Sequence, residues 1–395
     1  MKTISYPMLA LLLAFLNSIG PFSIDAYLPA FPAMQEALRT DAVAMQQSLT
    51  AYMIPFSVMM LWHGAISDAL GRRRVIVASL SVFIVASLLC ALAPNVHVLI
   101  IGRVLQGLSA GGGVIVGRAV VRDVLDGPAA QRMMSHVAMV FAVAPAVAPI
   151  LGGFMTDAMG WRSLFIFMLL LAAGQMYMTL RYLPETLPPE KRQPLAPGNL
   201  LAGYLAVLGN ARFVLIALAM SFIFIGFFLY VMSAPVFLMR HLGLRETQFG
   251  YLFVPLVIGM MAGSLTAVRL SRRMSQESII QVAFAVAAVA AVWNLAANWF
   301  LPETVATRIP QLALQSFAMN LSFPSLTLMA LDMFPERRGM AASCQGFIHT
   351  LIMSVTAGLL APMLWDSTRH MAIAMAVMWL CSVLLFAASR RARAG

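Results

Sequence analysis

The sequence predicts an all-α integral membrane protein with twelve transmembrane helices in two pseudo-symmetric six-helix bundles. Three observations indicate this fold class. Of the 395 residues, 61% are hydrophobic and only 10% are charged, whereas soluble proteins average about 45–50% and about 25%. The chain contains a series of long apolar segments, and a proline-rich stretch divides that series into two halves. Most of the chain must therefore face lipid or other apolar helices.

Twelve apolar segments can be placed along the chain, and we expect each of them to be a helix. Their centres lie near residues 16, 57, 84, 107, 145, 172, 223, 258, 289, 319, 351 and 380. A helix needs about 20 apolar residues to cross a bilayer, and these segments lack the alternation that spanning strands require. The first segment follows Lys2 without a small-residue cleavage site, so we expect a membrane helix rather than a signal peptide.

The basic residues predict the orientation of these helices. Most of the 26 Lys and Arg residues fall in loops that are cytoplasmic if both termini are cytoplasmic, as the positive-inside rule demands. The same bias explains the net charge of +11 without a nucleic-acid partner, because the excess lies beside an anionic lipid leaflet. We therefore expect a multi-pass protein in a lipid bilayer with both termini in the cytoplasm.

The stretch "PETLPPEKRQPLAP", residues 184–197, separates segment six from segment seven. Its five prolines exclude a regular helix, so we predict an N-terminal bundle over 1–183, a cytoplasmic linker over 184–211 and a C-terminal bundle over 212–395. The halves also share residues at an offset of 206: Ile19, Gly20, Phe22, Pro29 and Phe31 recur as Ile225, Gly226, Phe228, Pro235 and Phe237. Two related bundles are the layout of secondary transporters.

The loop after segment two reads "GAISDALGRRR", residues 64–74. Gly64 and Asp68 are four residues apart and share a helix face, and Gly71 is placed to end the helix. The spacing G-x-x-x-D-x-x-G-R-R-R resembles the signature of the major facilitator superfamily, although Ala69 replaces a residue that is usually basic there.

This resemblance implies a conformational switch. Asp68 is expected to meet the positive N-terminal end of span eleven, which begins near Gly339, and Arg72 is expected to pair with Asp123 at the end of span four. An ordinary positive-inside turn is the alternative explanation of this loop.

Span four reads "GRVLQGLSAGGGVIVG", residues 102–117, and places Arg103 inside the membrane. It resembles the R-x-x-Q-G motif of proton-linked transporters in the superfamily, which implies that Arg103 takes part in proton transfer. The alternative is an arginine that snorkels to the interface, and "RIPQ" at 308–311 favours it because this copy in the second half echoes "RVLQ".

Span five contains "APAVAPILGG", residues 144–153. The stretch resembles the antiporter signature G-x-x-x-G-P-x-x-G-G that marks exporters of this superfamily, with alanine in place of two glycines. The retained candidate residues are Pro145, Pro149, Gly152 and Gly153. Without the resemblance, the two prolines and the small residues indicate only a kinked helix that packs closely on a neighbour.

Span one ends in "SIDAYLPAFP", residues 23–32, with Asp25 inside an apolar run. An ionised carboxylate in hydrocarbon costs at least ~2.5 kcal/mol, so an acid at this depth needs a partner or a role. Asp25 aligns with Val231 in the repeat, so packing does not require the acid, and we favour function over an interfacial acid. The run D-x-Y-L-P-x-x-P resembles the twelve-span drug/proton antiporters, nearest the bicyclomycin and chloramphenicol resistance branch.

The resemblance to these antiporters implies a proton-coupled exporter of small, largely apolar drugs or antibiotics in the bacterial inner membrane. Protons and a small-molecule substrate are its expected partners, the protein is expected to be a monomer, and Asp25 and Arg103 are the expected coupling residues. An apolar surround favours the protonated acid, so Asp25 can load a proton on one side and release it on the other. The alternative is export of an endogenous metabolite, such as an amino acid or sugar, by the same machinery.

A substrate pocket of this kind is expected to be apolar and aromatic, with few polar anchors. Our candidate lining residues are Asp25, Tyr27, Tyr52, Phe56, Phe224, Tyr230 and Phe253, with Asn17, Asn294 and Asn320 as polar anchors. Taken singly, each of them is more often a plain core residue. His63 and His349 could titrate, but a hydrogen-bonded packing histidine is the more common explanation of each.

The sequence gives no support for an enzyme. "GLSAG" around Ser109 matches the nucleophile elbow G-x-S-x-G, but it lies inside an apolar helical run instead of a strand-turn-helix. No H-E-x-x-H or phosphate-binding loop occurs, and the three cysteines have no C-x-x-C spacing. We therefore expect no metal, no cofactor and no disulfide.

Overall fold

The computed structural model describes residues 5–125 and 127–392, and within these ranges all regular structure is helical. The chain forms two compact units, Met1–Pro197 and Gly198–Gly395. This division falls inside the predicted linker. The linker contains one short turn of 3-10 helix at Pro189–Lys191 and then a helix over Pro197–Leu208. That helix is rich in leucine, and its Gly203 packs against the side chain of Met340 in the second unit.

The first unit contains six long helices. They are α1 (Tyr6–Leu38), α2 (Ala42–Leu70), α3 (Arg72–Ala91), α4 (Val96–Val124), α5 (Gly127–Met159) and α6 (Arg162–Tyr182). Helix α4 packs on α2 and α3, α3 packs on α6, and α1 packs mainly on α5. Helix α5 remains one helix through both of its prolines.

Helix α1 is the irregular member of this unit. It consists of Tyr6–Asn17, Ile19–Ile24, a 3-10 turn at Leu28–Ala30 and Phe31–Leu38. Pro21, Pro29 and Pro32 lie in or beside these breaks, and each proline removes a backbone donor and blocks the preceding turn. Irregular backbone at membrane depth is tolerated where protein or water satisfies it, and such places are common binding sites.

The second unit also contains six long helices. They are α7 (Ala211–Met232), α8 (Gly250–Leu270), α9 (Gln276–Phe300), α10 (Pro310–Leu331), α11 (Pro335–Met363) and α12 (Thr368–Arg391). Helix α7 continues after a turn into a π-helical segment, Pro235–His241. Helix α10 packs on α7, α8 and α9, and α7 packs on α12.

Each predicted apolar segment lies in one of these twelve helices, which confirms the predicted fold class. Within the described residues, ten helical stretches are long and apolar enough to cross a membrane. The two remaining long helices, α5 and α10, are not among these ten stretches; the apolar part of α5, Val143–Met159, is too short. Helix α10 carries buried polar side chains, among them Gln311, Gln315 and Ser316, which lower its mean hydropathy although it is long enough to span.

Glycines set the closest helix contacts. A Cβ atom on Gly107 of α4 would overlap the carbonyl oxygen of Tyr52 in α2, and one on Gly152 of α5 would overlap the carbonyl oxygen of Ala26 in α1. Backbones that approach this closely leave no room for any side chain. In α2, by contrast, Gly64 has nothing within 4 Å of the position of a Cβ atom.

We therefore expect Gly107→Ala to lower stability by about 1–3 kcal/mol, the usual cost of overpacking, because the new methyl group must push α2 and α4 apart. Gly64→Ala is the matched control, and alanine's better helix propensity should leave its stability unchanged or slightly higher. Thermal unfolding of the purified variants in one detergent measures both effects. Equal melting temperatures for the two variants would contradict the close contact.

Candidate functional site: a buried arginine and an unpaired acid beside the break in the first helix

Arg103 is fully buried in the first unit. Its guanidinium carbon lies 4.4 Å from the ring centroid of Tyr27 and 4.5 Å from that of Tyr52. Nη2 donates to the carbonyl oxygen of Ser23 at 2.8 Å, and Nη1 donates to Oε1 of Gln106 at 2.8 Å. The helical segment of α1 ends at Ile24, which leaves the Ser23 carbonyl available to Arg103. The arginine therefore connects α4 to the break in α1.

The second half of the chain uses its similar sequence differently. Arg308 donates to the carbonyl oxygen of Ala297 at 2.6 Å and to that of Leu301 at 3.2 Å. These carbonyls belong to the C-terminal end of α9, where a cation offsets the negative end of the helix dipole. The similar sequences "RVLQ" and "RIPQ" therefore place their arginines in two different environments. Arg308 caps a helix, whereas Arg103 is enclosed between aromatic rings and does not snorkel.

Asp25 follows directly on the helical segment Ile19–Ile24, and only 8% of the residue is exposed. Among the side chains that the structure describes, it forms no ion pair and no hydrogen bond through its carboxylate. Its place at a helix C-terminus also sets a carboxylate against the negative end of the dipole. Arg103 donates to the carbonyl oxygen of Ser23, two residues before Asp25, and forms no ion pair with the carboxylate of Asp25. Asp25 is thus a buried acid without a compensating group.

Hydroxyl groups and an amide lie in the surroundings of Arg103. Ser48 donates its hydroxyl proton to the carbonyl oxygen of Met45 at 2.6 Å, so Tyr27 is the donor in its 2.6 Å contact with Ser48. Gln106 donates from Nε2 to Oγ of Ser87 at 2.9 Å. The buried hydroxyl group of Tyr52 interacts with that of Ser23, and neither has another hydrogen-bond partner among the described residues. Buried hydroxyl groups with so few partners are typical of a place where water or a ligand binds.

The antiporter motif lies against this region. Gly152 and Gly153 are buried, and Gly152 packs on the backbone of Ala26, the residue after Asp25. Pro149 is buried and Pro145 is partly buried. The motif therefore contributes close packing of α5 against the break in α1, and its small residues make that packing possible.

A second polar cluster lies at the cytoplasmic end predicted for the first unit. Arg72 contacts Oδ1 of Asp68 at 2.5 Å through Nη1 and Oδ2 of Asp123 at 3.0 Å through Nε. Gly71 ends α2 with φ at +101°, in the region that favours glycine, and a Cβ atom there would meet the carboxylate of Glu185. The structure therefore brings Asp68, Gly71, Arg72 and Asp123 together, while Gly64 lies about one turn of α2 before Asp68. Its carbonyl oxygen accepts from Ser67, whose hydroxyl oxygen in turn accepts from Nη1 of Arg72.

Two residues of this cluster were not anticipated from the sequence. Glu185 accepts from the backbone N–H of Arg72 at 2.7 Å, and Thr186 donates to Oδ2 of Asp123 at 3.0 Å. The first turn of α3 has three arginines and no acid, so its free N–H groups need an anion from elsewhere. The sequence shows that the start of α3 needs an anion, because its first turn contains no acid. It does not show which acid supplies it, because Glu185, in the "PET" that follows Leu183, lies 113 residues away from Arg72.

The candidate aromatic residues fall into two groups. Tyr27 and Tyr52 enclose Arg103, and Phe56 stacks on Tyr52 with a centroid distance of 5.9 Å. Tyr230 and Phe253 are only 1% and 2% exposed. Tyr230 accepts from Asn294 at 2.8 Å, so these two fit the core interpretation. Asn17 likewise bonds within its own helix, to the carbonyl oxygen of Leu13. Phe224 is partly exposed and packs edge to face on His349, with ring centroids 4.6 Å apart.

Two six-helix units, with a first helix broken around a buried acid, define a secondary membrane transporter. The chain belongs to the major facilitator superfamily, whose family model matches residues 11–357. It is 30% identical over 353 residues to the MFS-type transporter YdgK of Bacillus subtilis, covering 89% of this chain and 88% of that one.

Two further relatives carry functional names. The chain is 28% identical to multidrug resistance protein D of Escherichia coli, covering 95% of this chain and 94% of that one. It is 24% identical to a bicyclomycin resistance protein homolog of Haemophilus influenzae, with the same coverage of 95% and 94%. These names support the predicted branch of the superfamily. A crystal structure of the human organic anion transporter MFSD10 shares the fold, with a TM-score of 0.71 at 18% identity over 97% of this chain and 100% of that one.

We expect Arg103→Lys to be destabilising and to slow transport, although the charge is kept. An ammonium group lacks the planar fork that donates to Ser23 and Gln106 together while stacking between two tyrosine rings. The loss of one charge-assisted hydrogen bond corresponds to about 1.5–3 kcal/mol in thermal unfolding. Arg308→Lys, at a helix cap where a compact cation suffices, is the control and should lose less. A larger loss at Arg308 would contradict this assignment.

Proposed function

We propose that the protein is a proton-coupled efflux antiporter that exports small, largely apolar drugs across the cytoplasmic membrane. The observation that carries the proposal is Asp25, a buried acid in the broken part of α1 that has no ion-pair or hydrogen-bond partner among the described residues. It lies two residues after Ser23, whose carbonyl oxygen binds the enclosed Arg103. The superfamily consists of transporters, and relatives named for multidrug and bicyclomycin resistance support the substrate class. No catalytic step is required of any residue.

Asp25 can couple the two fluxes because its charge is costly where it lies. A carboxylate without a partner takes up a proton when its surroundings open to the proton-rich side, and it releases that proton when they open to the cytoplasm. The fixed guanidinium of Arg103 can stabilise the carboxylate once the proton has left. Inward movement of one charge yields about 2.3 kcal/mol per 100 mV, enough for a roughly fifty-fold gradient of a neutral substrate.

We expect Asp25→Asn to abolish proton-driven efflux while the protein still folds and inserts, because asparagine keeps the shape and cannot titrate. Liposomes that contain only this protein, under an imposed pH gradient, measure the flux of a panel of drugs, amino acids and sugars. Drug binding to the variant should also lose its dependence on pH. Transport by Asp25→Asn at the wild-type rate would refute the coupling role, and flux of metabolites alone would assign the alternative substrate class.

The cluster around Arg72 is our candidate for the conformational switch. Asp68 and Asp123, whose side chains are 45% and 18% exposed, share one arginine, while Glu185 accepts from the backbone N–H at the start of α3. An arginine with two carboxylate partners can keep one of them when the other leaves. Asp68 is the more accessible partner and therefore the one free to exchange during transport.

We expect Asp68→Asn to leave expression and folding intact but to slow turnover and change the balance between conformational states. The readouts are transport in liposomes and the labelling rate of a single cysteine at a position that faces the periplasm. Glu185→Gln is the companion variant, and it should instead lower the melting temperature, because it weakens the anionic cap of α3. Wild-type turnover with unchanged labelling in Asp68→Asn would reduce the motif to a topology signal.

We place the chain in a bacterial inner membrane with both termini in the cytoplasm, supported by the positive-inside distribution and by the bacterial relatives. Single cysteines at Asn95 and Asp366, both exposed in loops, should react with an impermeant thiol reagent added to whole cells. A cysteine at the exposed Gln193 should react only after the cells are opened. The three native cysteines are first replaced by serine. Labelling of position 193 from outside would reverse the orientation.

A further inference from the structure

An open cleft lies at one end of the second unit, where α7 and α9 begin and α10 ends. Its volume is about 660 Å³. The residues that line it are Arg212, residues 275–277, Met329, Asp332 and Met333. None of them belongs to the groups assigned above to proton coupling, to the conformational switch or to the aromatic core. The cleft is therefore a separate feature of the molecule.

The charges in this cleft do not balance. Glu277 pairs with Arg390 of α12, with 3.6 Å between Oε2 and Nη2. Asp332 pairs with Arg338 of α11, with 2.9 Å between Oδ1 and Nη2. Arg212, by contrast, has no ion pair and no side-chain hydrogen bond with any residue that the structure describes, and its Nε is buried. Because both acids have arginine partners from outside the lining, one positive charge remains in the cleft.

The N-terminal end of α9 adds to this positive potential. Ser275 caps the helix, since its hydroxyl oxygen accepts from the N–H of Ser278 at 3.2 Å. The N–H of Gln276, at the first position of this 25-residue helix, has no acceptor within the helix. The aligned peptide dipoles also place a partial positive charge at this end. A guanidinium and a helix N-terminus on one cleft are a common arrangement for binding a phosphate group.

The rest of the lining is apolar and adjoins the spanning parts of its helices. Met329 and Met333 supply it from the end of α10, and methionine side chains adapt to ligands of irregular shape. Leu328, next to Met329, is 49% exposed, and Val282, about two turns into α9, is 37% exposed. Exposed apolar residues of spanning helices are covered by lipid chains. The cleft therefore suits a ligand that joins a phosphate to a flexible apolar part.

The end of the second unit that carries the cleft is also rich in basic residues. Five arginines lie in the last turn of α8, in the turn that follows it and in the last turn of α12: Arg269, Arg272, Arg273, Arg390 and Arg391. In the orientation proposed above this end faces the cytoplasm, where anionic lipid headgroups lie at the level of the helix ends. A soluble phosphate compound would leave the methionine wall without a partner, so the surroundings favour a lipid.

We propose that this cleft binds the headgroup of an anionic glycerophospholipid such as phosphatidylglycerol. Its phosphate pairs with Arg212 and the N-terminal end of α9, and its acyl chains lie along Met329, Met333 and the neighbouring apolar surface. A choline headgroup is disfavoured because it carries a cation of its own, and the acids that would bind that cation already have arginine partners. This inference concerns lipid binding and does not rest on the proposed efflux function.

Dioctanoyl phosphatidylglycerol, titrated into the detergent-purified protein, tests the proposal. Native mass spectrometry measures the number of lipids bound, and the rise in melting temperature with lipid concentration measures the affinity. We expect saturable binding of one lipid to the wild type. Arg212→Gln should weaken it about 10-fold or more, the effect of losing a charge-assisted hydrogen bond. Arg212→Lys keeps the charge without the planar fork and should retain part of the affinity.

Two further variants keep the test independent of how Arg212 variants fold. Met333→Trp leaves the arginine in place but fills the cleft, so it should also weaken binding. Arg272→Gln is the matched control, because Arg272 is exposed at the same end of the unit and lies outside the cleft. Its affinity should stay within about 2-fold of the wild type at about 0.15 M salt, where exposed charges are screened. Each variant is first checked by monodisperse elution and by its melting temperature without lipid.

Other probes distinguish the sources of the phosphate group. Dioctanoyl phosphatidylcholine should bind more weakly, and inorganic phosphate and glycerophosphoglycerol, which lack acyl chains, should hardly change the melting temperature. Equal binding of phosphatidylcholine would refute the selection of an anionic headgroup, and equal binding of the chain-free phosphates would assign a soluble anion in place of a lipid. The site itself is overturned by unchanged affinity in Arg212→Gln, by equal losses in Arg212→Gln and Arg272→Gln, or by the absence of saturable binding to the wild type.

Discussion

The enclosure of the Arg103 guanidinium is the constraint on which the first unit depends. A permanent charge inside the membrane must have its donors satisfied by protein, since lipid offers no acceptors. Here two donors reach the Ser23 carbonyl and the Gln106 side chain, and two tyrosine rings lie against the guanidinium, while its Nε has no hydrogen-bond partner among the described residues. The Ser23 carbonyl is available only because α1 breaks after Ile24. The proline-rich end of α1 is thus part of the arginine's binding site as well as a local irregularity.

The two units show how a repeated sequence can serve different purposes. The first keeps an acid at the break in its first helix and an arginine enclosed beside it, whereas the second has Val231 at the aligned position and uses Arg308 to cap α9. Its polar groups, such as Asn294 and Tyr230, satisfy one another in the interior. The acid at the break and the arginine enclosed beside it therefore distinguish the first unit from the second.

The sequence predicted the helices well because hydropathy over about 20 residues integrates many side chains, and a few polar ones do not erase the pattern. Even α10, with its buried glutamines, was found at the expected place. Contacts between distant helices were harder to predict. Patterns at i+3 and i+4 reveal neighbours on one helix, such as Asp68 and Arg72, but not the reach of Glu185 to the N-terminus of α3. For the same reason, the sequence could not tell how His63 and His349 differ. Nδ1 of His63 contacts the carbonyl oxygen of Met59, whereas Nδ1 of His349 has no hydrogen-bond partner among the described residues.

The separation between Asp25 and Arg103 has a consequence for coupling. Two opposite charges 4 Å apart attract by about 4 kcal/mol at an effective dielectric constant near 20. A direct ion pair would therefore hinder proton uptake by about three orders of magnitude. In the structure the two terminal nitrogens of the guanidinium bind Ser23 and Gln106, and two aromatic rings lie against it, so that these groups hold the arginine without the carboxylate. In the proposed mechanism Asp25 is therefore able to bind a proton, and the fixed positive charge on α4 stabilises the carboxylate once that proton leaves.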